Sequence, residues 1–353
     1  MLVVRAPGRV NLIGDHTDYQ DGFCLPMAID REVVIRAEPR ADGRVVARSD
    51  AIDGIVDLPA EGTASPSSAE PRWGRPIDAV LRLLSQPGRA AVGFDAHVTS
   101  SVPVGSGLSS SAAFAVAVVM TASEVDGIPI SAESTARLAQ SAEHAATGVP
   151  CGAMDQIASV FGRAGHALLL DCRTLAPALV ALPDSVAVVV VHTGVARRLE
   201  DSAYADRRDA CTAAAARIGV KMLRDASPDQ VRDDPIARHV VSENQRVLDF
   251  VDALRAGDLE LCGRLMVASH ASLRDDFLVS TPELDALVAA LVDAGAYGAR
   301  LTGAGFGGCA VAFVAASSAD DVVERAVSRY RSATGRTPTP FAVRAVDGAG
   351  LVR

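Results

Sequence analysis

Lysine is almost missing from this chain: of its 34 basic residues only Lys221 is a lysine, and the rest are arginine. A Walker A loop needs G-x-x-x-x-G-K-[ST], and a protein-kinase fold needs a strand lysine on the nucleotide phosphates. Lys221 fits neither pattern. Any phosphate chemistry here must rest on backbone N–H groups, a metal and arginine. Long apolar runs are missing as well. No stretch approaches the roughly 20 residues of a membrane span, and an N-terminus carrying Arg5 and Pro7 has no signal-peptide core. A cytoplasmic protein with no membrane partner is expected. Paired cysteines are also missing: Cys24, Cys151, Cys172, Cys211, Cys262 and Cys309 are scattered with no C-x-x-C spacing. The seven histidines show no H-E-x-x-H or zinc-finger spacing, so buried free thiols are expected rather than metal or redox centres. Nor is there a surplus of positive charge, since 43 Asp and Glu against 34 Lys and Arg leave a net charge of −9. That balance argues against a nucleic-acid partner and for a small-molecule one.

What is present reads as an ordinary globular composition, 49% hydrophobic and 22% charged. At 353 residues the chain exceeds what one compact core usually holds, so two lobes with a cleft between them are expected. A short strand, Leu2 to Arg5, leads into a polar turn, "RVNLIGDHTDYQDG", from Arg9 to Gly22. Strand-like runs "REVVIRAEP" and "GRVVARSD" follow, then a Ser/Pro/Gly loop from Ala60 to Pro71, a helix from Pro76 to Leu84 and the strand "AVGFDAHVTS". Next come a glycine–serine turn with a long apolar helix, and a second helix with Ser131 as N-cap and Gly148 as terminator. After a loop and a short helix, "GHALLLD" and "SVAVVVVHTG" are strands, Leu199 to Val292 is helical, and the tail is strand, glycine loop, strand, helix, strand. Strands first, helices next and a mixed unit last predict an α+β protein, divided into 1–182 and 183–353.

Three stretches carry chemistry. "GSGLSSS", Gly105 to Ser111, lies between a strand and a helix, where unpaired amides and the helix dipole hold anions. It suits a phosphate; a plain helix cap with small residues for packing is the other reading. "GAGFGG", Gly303 to Gly308, matches G-x-G-x-x-G, but the dinucleotide fingerprint requires a helix directly after the loop. "CAVAFVAA" follows here and reads as a strand, which leaves a tight loop approaching either a ligand or the other lobe. In "PCGAMDQ", Asp155 opens a helix between apolar neighbours, as a cap or as a catalytic carboxylate. Glu143, late in the preceding helix, reads by default as solvated.

Together "PGRVNLIGDHTDY", "PVGSGLSSSAA" and "LTGAGFGGCAV" resemble the three ordered motifs of the GHMP small-molecule kinases. With "GHALLLDCRTL", "AYADRRDAC", "ASHASLRDDF" and "STPELDALV", the chain resembles the galactokinase family over nearly its whole length. The resemblance implies a two-lobed GHMP kinase fold, with a ribosomal protein S5 domain 2-like N-terminal domain and a ferredoxin-like C-terminal domain. It implies ATP-dependent phosphorylation of galactose at the C1 hydroxyl, with ATP as co-substrate and Mg²⁺ as cofactor, in a monomer or weak oligomer. By the same resemblance Asp155 takes the hydroxyl proton and Arg9 offsets the charge of the transferring phosphoryl group. Asp15, His16, Asp18, Gly152 and Tyr204 would contact the sugar. Gly105, Ser106, Gly107, Leu108, Ser109 and Ser110 would cradle the phosphates, Trp73 would lie near adenine, and Ser111 and Glu143 would hold the metal. Asp15 stands where most members carry Glu, so a related anomeric kinase with another monosaccharide is an alternative. A silent sugar- and ATP-binding sensor is a further one, opposed by "SSSAA", Arg9 and Asp155.

Overall fold

The computed structural model describes residues 1–85, 91–103, 105–149, 151–195 and 200–352, with the backbone alone for 200–202. In chain order the first half holds β1 (Leu2–Asn11), β2 (Phe23–Cys24), β3 (Pro26–Arg40), β4 (Arg44–Ser49), β5 (Val56–Pro59), α1 (Arg75–Leu84), β6 (Gly93–Ser100), α2 (Ser110–Val125), α3 (Ala132–Thr147), α4 (Met154–Phe161), β7 (His166–Asp171) and β8 (Ala176–Ala181). The second half holds β9 (Val186–His192), α5 (Glu200–Ile218), α6 (Pro235–Ala256), α7 (Leu259–Asp275), α8 (Pro282–Asp293), β10 (Gly298–Leu301), β11 (Cys309–Ala315), α9 (Ala319–Thr334), β12 (Thr339–Val343) and β13 (Gly350–Leu351).

Among the described residues three sheets form: β13-β1-β3-β6-β4-β5, β10-β11-β9-β12, and the small β2-β7-β8. Among the described residues only β4 and β6 pair in parallel. Against the first sheet lies α2, whose Ala112, Ala113, Ala115, Val116, Ala117, Val118 and Val119 are all buried. A helix apolar on every side belongs inside a core, and its many alanines let the backbone approach β1 and α3 closely. The amphipathic α3 is capped as its sequence predicts: Ser131 Oγ accepts from Ser134 N at 3.1 Å, and Gly148 closes the helix at φ 77°.

The second sheet explains the unbroken valine run. Val188 and Val190 of β9 face α6 and α7, while Val189 and Val191 face α8 and α9. Both faces are covered, so the apolar run is continuous rather than alternating. The core on the α6 side also takes in Val10, Leu12 and Ile13 of the polar turn, beside Val247, Phe250 and Met266. Each such fully buried side chain contributes about 1.5–3 kcal/mol. The turn thus rests on α6, and α6 on the second sheet.

Some boundaries differ from those expected. β1 runs on to Asn11 through a register shift between Pro7 and Arg9, so Arg9 lies on a strand rather than in the turn. β3 starts at Pro26, and β2, β5, β8 and β13 are additional. The final strand returns to the first sheet, with β13 antiparallel to β1. Residue 199, where the helical stretch was expected to begin, lies outside the described residues.

Candidate active site

Gly14 and His16 turn the chain after β1, both with left-handed φ, 95° and 63°. At Gly14 a Cβ would meet Phe23 O at 2.6 Å and Val247 Cγ2 at 2.8 Å, so only glycine permits this packing. Thr17, fully buried, reaches Gly14 O at 2.9 Å and Phe23 O at 2.8 Å and locks the turn from inside. Asp15, His16 and Asp18 are then directed to one open cavity. Arg9, Gly152, Asp155, Tyr204, Gly303 and Ala304 line it too, as do Gly105, Gly107 and Ser109 to Ser111.

Arg9 ties the cavity together. Its Nε and Nη2 donate to Asp155 Oδ1 at 2.7 and 2.6 Å, and its Nη1 donates to Gly107 O at 2.7 Å. Ser109 Oγ donates to the other oxygen of Asp155. One carboxylate is therefore shared between the glycine–serine loop and the buried arginine, with charge-assisted bonds on both oxygens. The loop itself holds three left-handed residues, Gly105, Gly107 and Ser109, and α2 begins with no side-chain cap on its first amides. Amides left without a cap at a helix N-terminus are the donors that hold an anion. Ser106 and Leu108 turn elsewhere: Ser106 Oγ donates to Pro103 O at 2.7 Å, and the Leu108 side chain lies in the core while its carbonyl accepts Arg9 N.

The side chains of the polar turn differ in protonation. His16 Nε2 lies 3.1 Å from Ala304 O, which can only accept, so the ring donates there and Nδ1 accepts from Tyr19 Oη at 2.8 Å. That neutral tautomer agrees with a His16 ring lowered to about 3, first by burial. Burial, followed by the charge of Asp155, lifts Asp18 to about 7. Asp15 is raised by burial, while Arg300, Asn11 and Arg9 pull it back. Burial also holds the Tyr204 hydroxyl well above its ordinary range. Gly152 is a matter of space: a Cβ there would overlap the Asp18 carboxylate.

Ser111 and Glu143 meet at the cavity edge, with Ser111 Oγ donating to Glu143 Oε1 at 2.6 Å and Gln156 Nε2 to Oε2 at 2.6 Å. Beyond Ser110 and Ser111 opens a second, apolar recess lined by Ile52, Trp73, Pro76 and Phe114. Trp73 Nε1 is buried there with no hydrogen-bond partner among the described residues.

Three contributors were not anticipated: Arg300, Glu243 and His239, which grip the turn from below. The GAGFGG loop approaches both the cavity and the other lobe, since Ala304 lines the one and bonds His16 of the other. A lone arginine inside the apolar strand "GARL" was the available signal for Arg300.

Residues 2–39 match the galactokinase galactose-binding signature, 75–163 the GHMP kinases N terminal domain and 250–332 the GHMP kinases C terminal. The galactokinase of Roseiflexus sp. (strain RS-1) is 48% identical, over 99% of this chain and 93% of its own. That of Chloroflexus aurantiacus (strain ATCC 29366 / DSM 635 / J-10-fl) is 44% identical with the same coverage. Lactococcus lactis galactokinase complexed with galactose superposes with a TM-score of 0.92 at 30% identity, over 99% of this chain and 94% of that one. A mevalonate kinase, 19% identical with a TM-score of 0.72, shares the fold. Two lobes around such a cleft define a GHMP kinase, α+β in class. Within that superfamily the chain belongs to the galactokinase family.

Proposed function

We propose that this chain transfers the γ-phosphoryl group of ATP to the C1 hydroxyl of galactose, with Asp155 and Arg9 at the reacting end of the cavity. The observation that carries this reading is the sharing of Asp155 between Arg9 and Ser109, where the phosphate-suited loop meets the end of β1 that leads into the polar turn. Galactose lies against Asp15, His16, Asp18, Gly152 and Tyr204. The phosphates lie on the amides from Gly105 to Ser110, with Ser106 and Leu108 contributing backbone alone, and adenine enters the recess of Trp73 and Phe114. Asp155 accepts the C1 proton as that oxygen bonds to the γ-phosphorus and ADP leaves. Arg9 offsets negative charge on the phosphoryl oxygens, and its bonds to Asp155 and Gly107 fix donor and acceptor in one frame.

Glu143 and Ser111 suit Mg²⁺. Among the described residues no three His, Cys, Asp or Glu side chains converge on a metal site, so a cation here takes most ligands from phosphate and water, as Mg²⁺ does. Glu143 is raised by burial and has no ion pair among the described residues, which favours a cation beside it. When bound, Mg²⁺ supplies neutralisation of phosphate charge. We read the lobes as dividing between residues 182 and 183, and the chain as acting in the cytoplasm as a monomer or weak oligomer. No helix among the described residues is long and apolar enough to cross a membrane, and none of the six cysteines is joined in a disulfide, which fits a reducing compartment.

The test is ADP release with galactose, 2-deoxygalactose, 6-deoxygalactose, glucose and N-acetylgalactosamine. Galactose is expected to have the highest kcat/KM; a higher value for any other sugar would overturn the substrate assignment. Asp155→Asn keeps shape and polarity but deletes the base, so turnover should fall by about 10²-fold or more with both ligands still bound. Turnover near that of the unaltered enzyme would remove Asp155 from the chemistry.

A further inference from the structure

Among the described residues Arg300 is the largest fully buried side chain, on a four-residue strand whose members are all buried. A cation taken wholly out of water costs several kcal/mol unless it is paired with good geometry. Its partners are unevenly placed. Nη2 lies 2.6 Å from Asp15 Oδ2 and 3.9 Å from Glu243 Oε1, and Nη1 donates to Asn11 O at 3.4 Å. Nε has no partner among the described residues. The guanidinium is thus committed to the start of the polar turn, and to Asp15 above all.

Glu243 is buried beside it and does two things. Oε1 accepts from Gly14 N at 3.0 Å and from Ser269 Oγ at 2.5 Å, while Oε2 accepts from Arg246 Nε at 2.7 Å. His239, one turn earlier on α6, meets Asp15 O at 3.2 Å. Three handles on two adjacent residues, Gly14 N, Asp15 O and the Asp15 carboxylate, therefore come from α6 and β10. The charges alternate along Arg246, Glu243, Arg300 and Asp15. Interlobe adhesion alone would not need this chain, because packed apolar side chains of similar volume usually stabilise at least as well. The chain ends on a carboxylate that lines the cavity.

Asp15 Oδ1 accepts from Asn11 Nδ2 at 3.0 Å, and Oδ2 is held by Arg300. A carboxylate offers about four lone-pair sites, so each oxygen keeps one for a ligand hydroxyl. We infer that Arg300 is a positioning residue for sugar recognition: from β10 it fixes the orientation of the Asp15 carboxylate, and so the acceptor offered to a sugar hydroxyl, without touching the sugar. This rests on the reading of Asp15 as a sugar contact.

The experiment is a double-mutant cycle on the full chain with Asp15→Asn, Arg300→Gln and both together, measuring kcat and the KM of galactose and of ATP. Each single change should lower kcat/KM for galactose by about 10²-fold, as expected for a misplaced contact. The ATP KM should stay within about twofold, and the double variant should be no worse than the poorer single one. Independent, multiplying losses, or an ATP KM that rises as much as that of galactose, would overturn the inference and leave Arg300 as structural glue. If Asp15→Asn leaves galactose kinetics unchanged, it is the Asp15 contact that is wrong, which is a separate result. Should Arg300→Gln fail to fold, Arg300→Lys replaces it in the cycle. Keeping the charge without the fork, it should show a smaller loss with the same non-additivity, and additivity there would be equally fatal.

Discussion

Asp18 shows how single residues of this site carry their surroundings. Its carboxyl adjoins Gly152 and feels the negative charge of Asp155, and burial with that charge lifts it from 3.8 to about 7. The sign is opposite to that of an ion-paired aspartate. Because the folded state binds the proton more tightly than the unfolded chain, the associated stability is fully present below about 3.8 and is lost as pH rises through about 7. Asp18→Asn removes the ionisation and should raise the melting temperature at pH 8, by a stability gain on the order of 1 kcal/mol once solvent reaching this half-buried group is allowed for. Near pH 4 the gain should vanish. Equal shifts at both pH values would mean that ionisation of Asp18 is not what the substitution relieves.

At the scale of elements, spacing is held by glycines where two segments press together. Gly152, just before α4, leaves room for the Asp18 carboxylate, which a Cβ would overlap. Since the Asp18 side chain can swing where the backbone cannot, Gly152→Ala should keep the melting temperature nearly unchanged while galactose KM rises about tenfold or more. A variant that melts early with an unaltered KM would assign Gly152 to folding instead. The elements that sequence patterning reveals are those whose burial is simple: α3 with its cap and terminator, and β9 and β11 with both faces covered. β8 escaped because only Val180 of "APALVA" is buried, which leaves no alternation to read. Arg9 to Asn11 read as turn because a run of polar residues follows them, yet strand pairing resumes after the register shift between Pro7 and Arg9 and keeps them on β1, where Arg9 bonds Asp155. The motifs named the residues of the cavity, but not Arg300 and Glu243. A charge on a strand or helix reads as solvated, and only the tertiary placement of β10 and α6 under the turn shows otherwise.

Across the whole molecule the cavity belongs to neither lobe alone. Asp15, Asp18 and Asp155 come from the first half, Tyr204, Gly303 and Ala304 from the second, and the apolar recess of Trp73 joins them at Ser110 and Ser111. Ligands bound in such a cleft favour the folded chain by mass action, about 2.7 kcal/mol at a concentration of 100 Kd, and the melting temperature should rise by several degrees. The proposed sugar and nucleotide halves of the cleft should be separable by substitution. Asp15→Asn leaves one acceptor oxygen where Asn11 and Arg300 both donate, and weakens the acceptor assigned above to the sugar, so the shift produced by galactose should shrink while that produced by a non-hydrolysable ATP analogue with Mg²⁺ should persist. Trp73→Ala empties part of the apolar recess, so the reverse pattern is expected. Comparing each variant's liganded and unliganded melts cancels any change in its baseline stability. If both variants lose both shifts, the turn and the recess are one coupled site, and the division of the cleft into a sugar half and a nucleotide half is wrong.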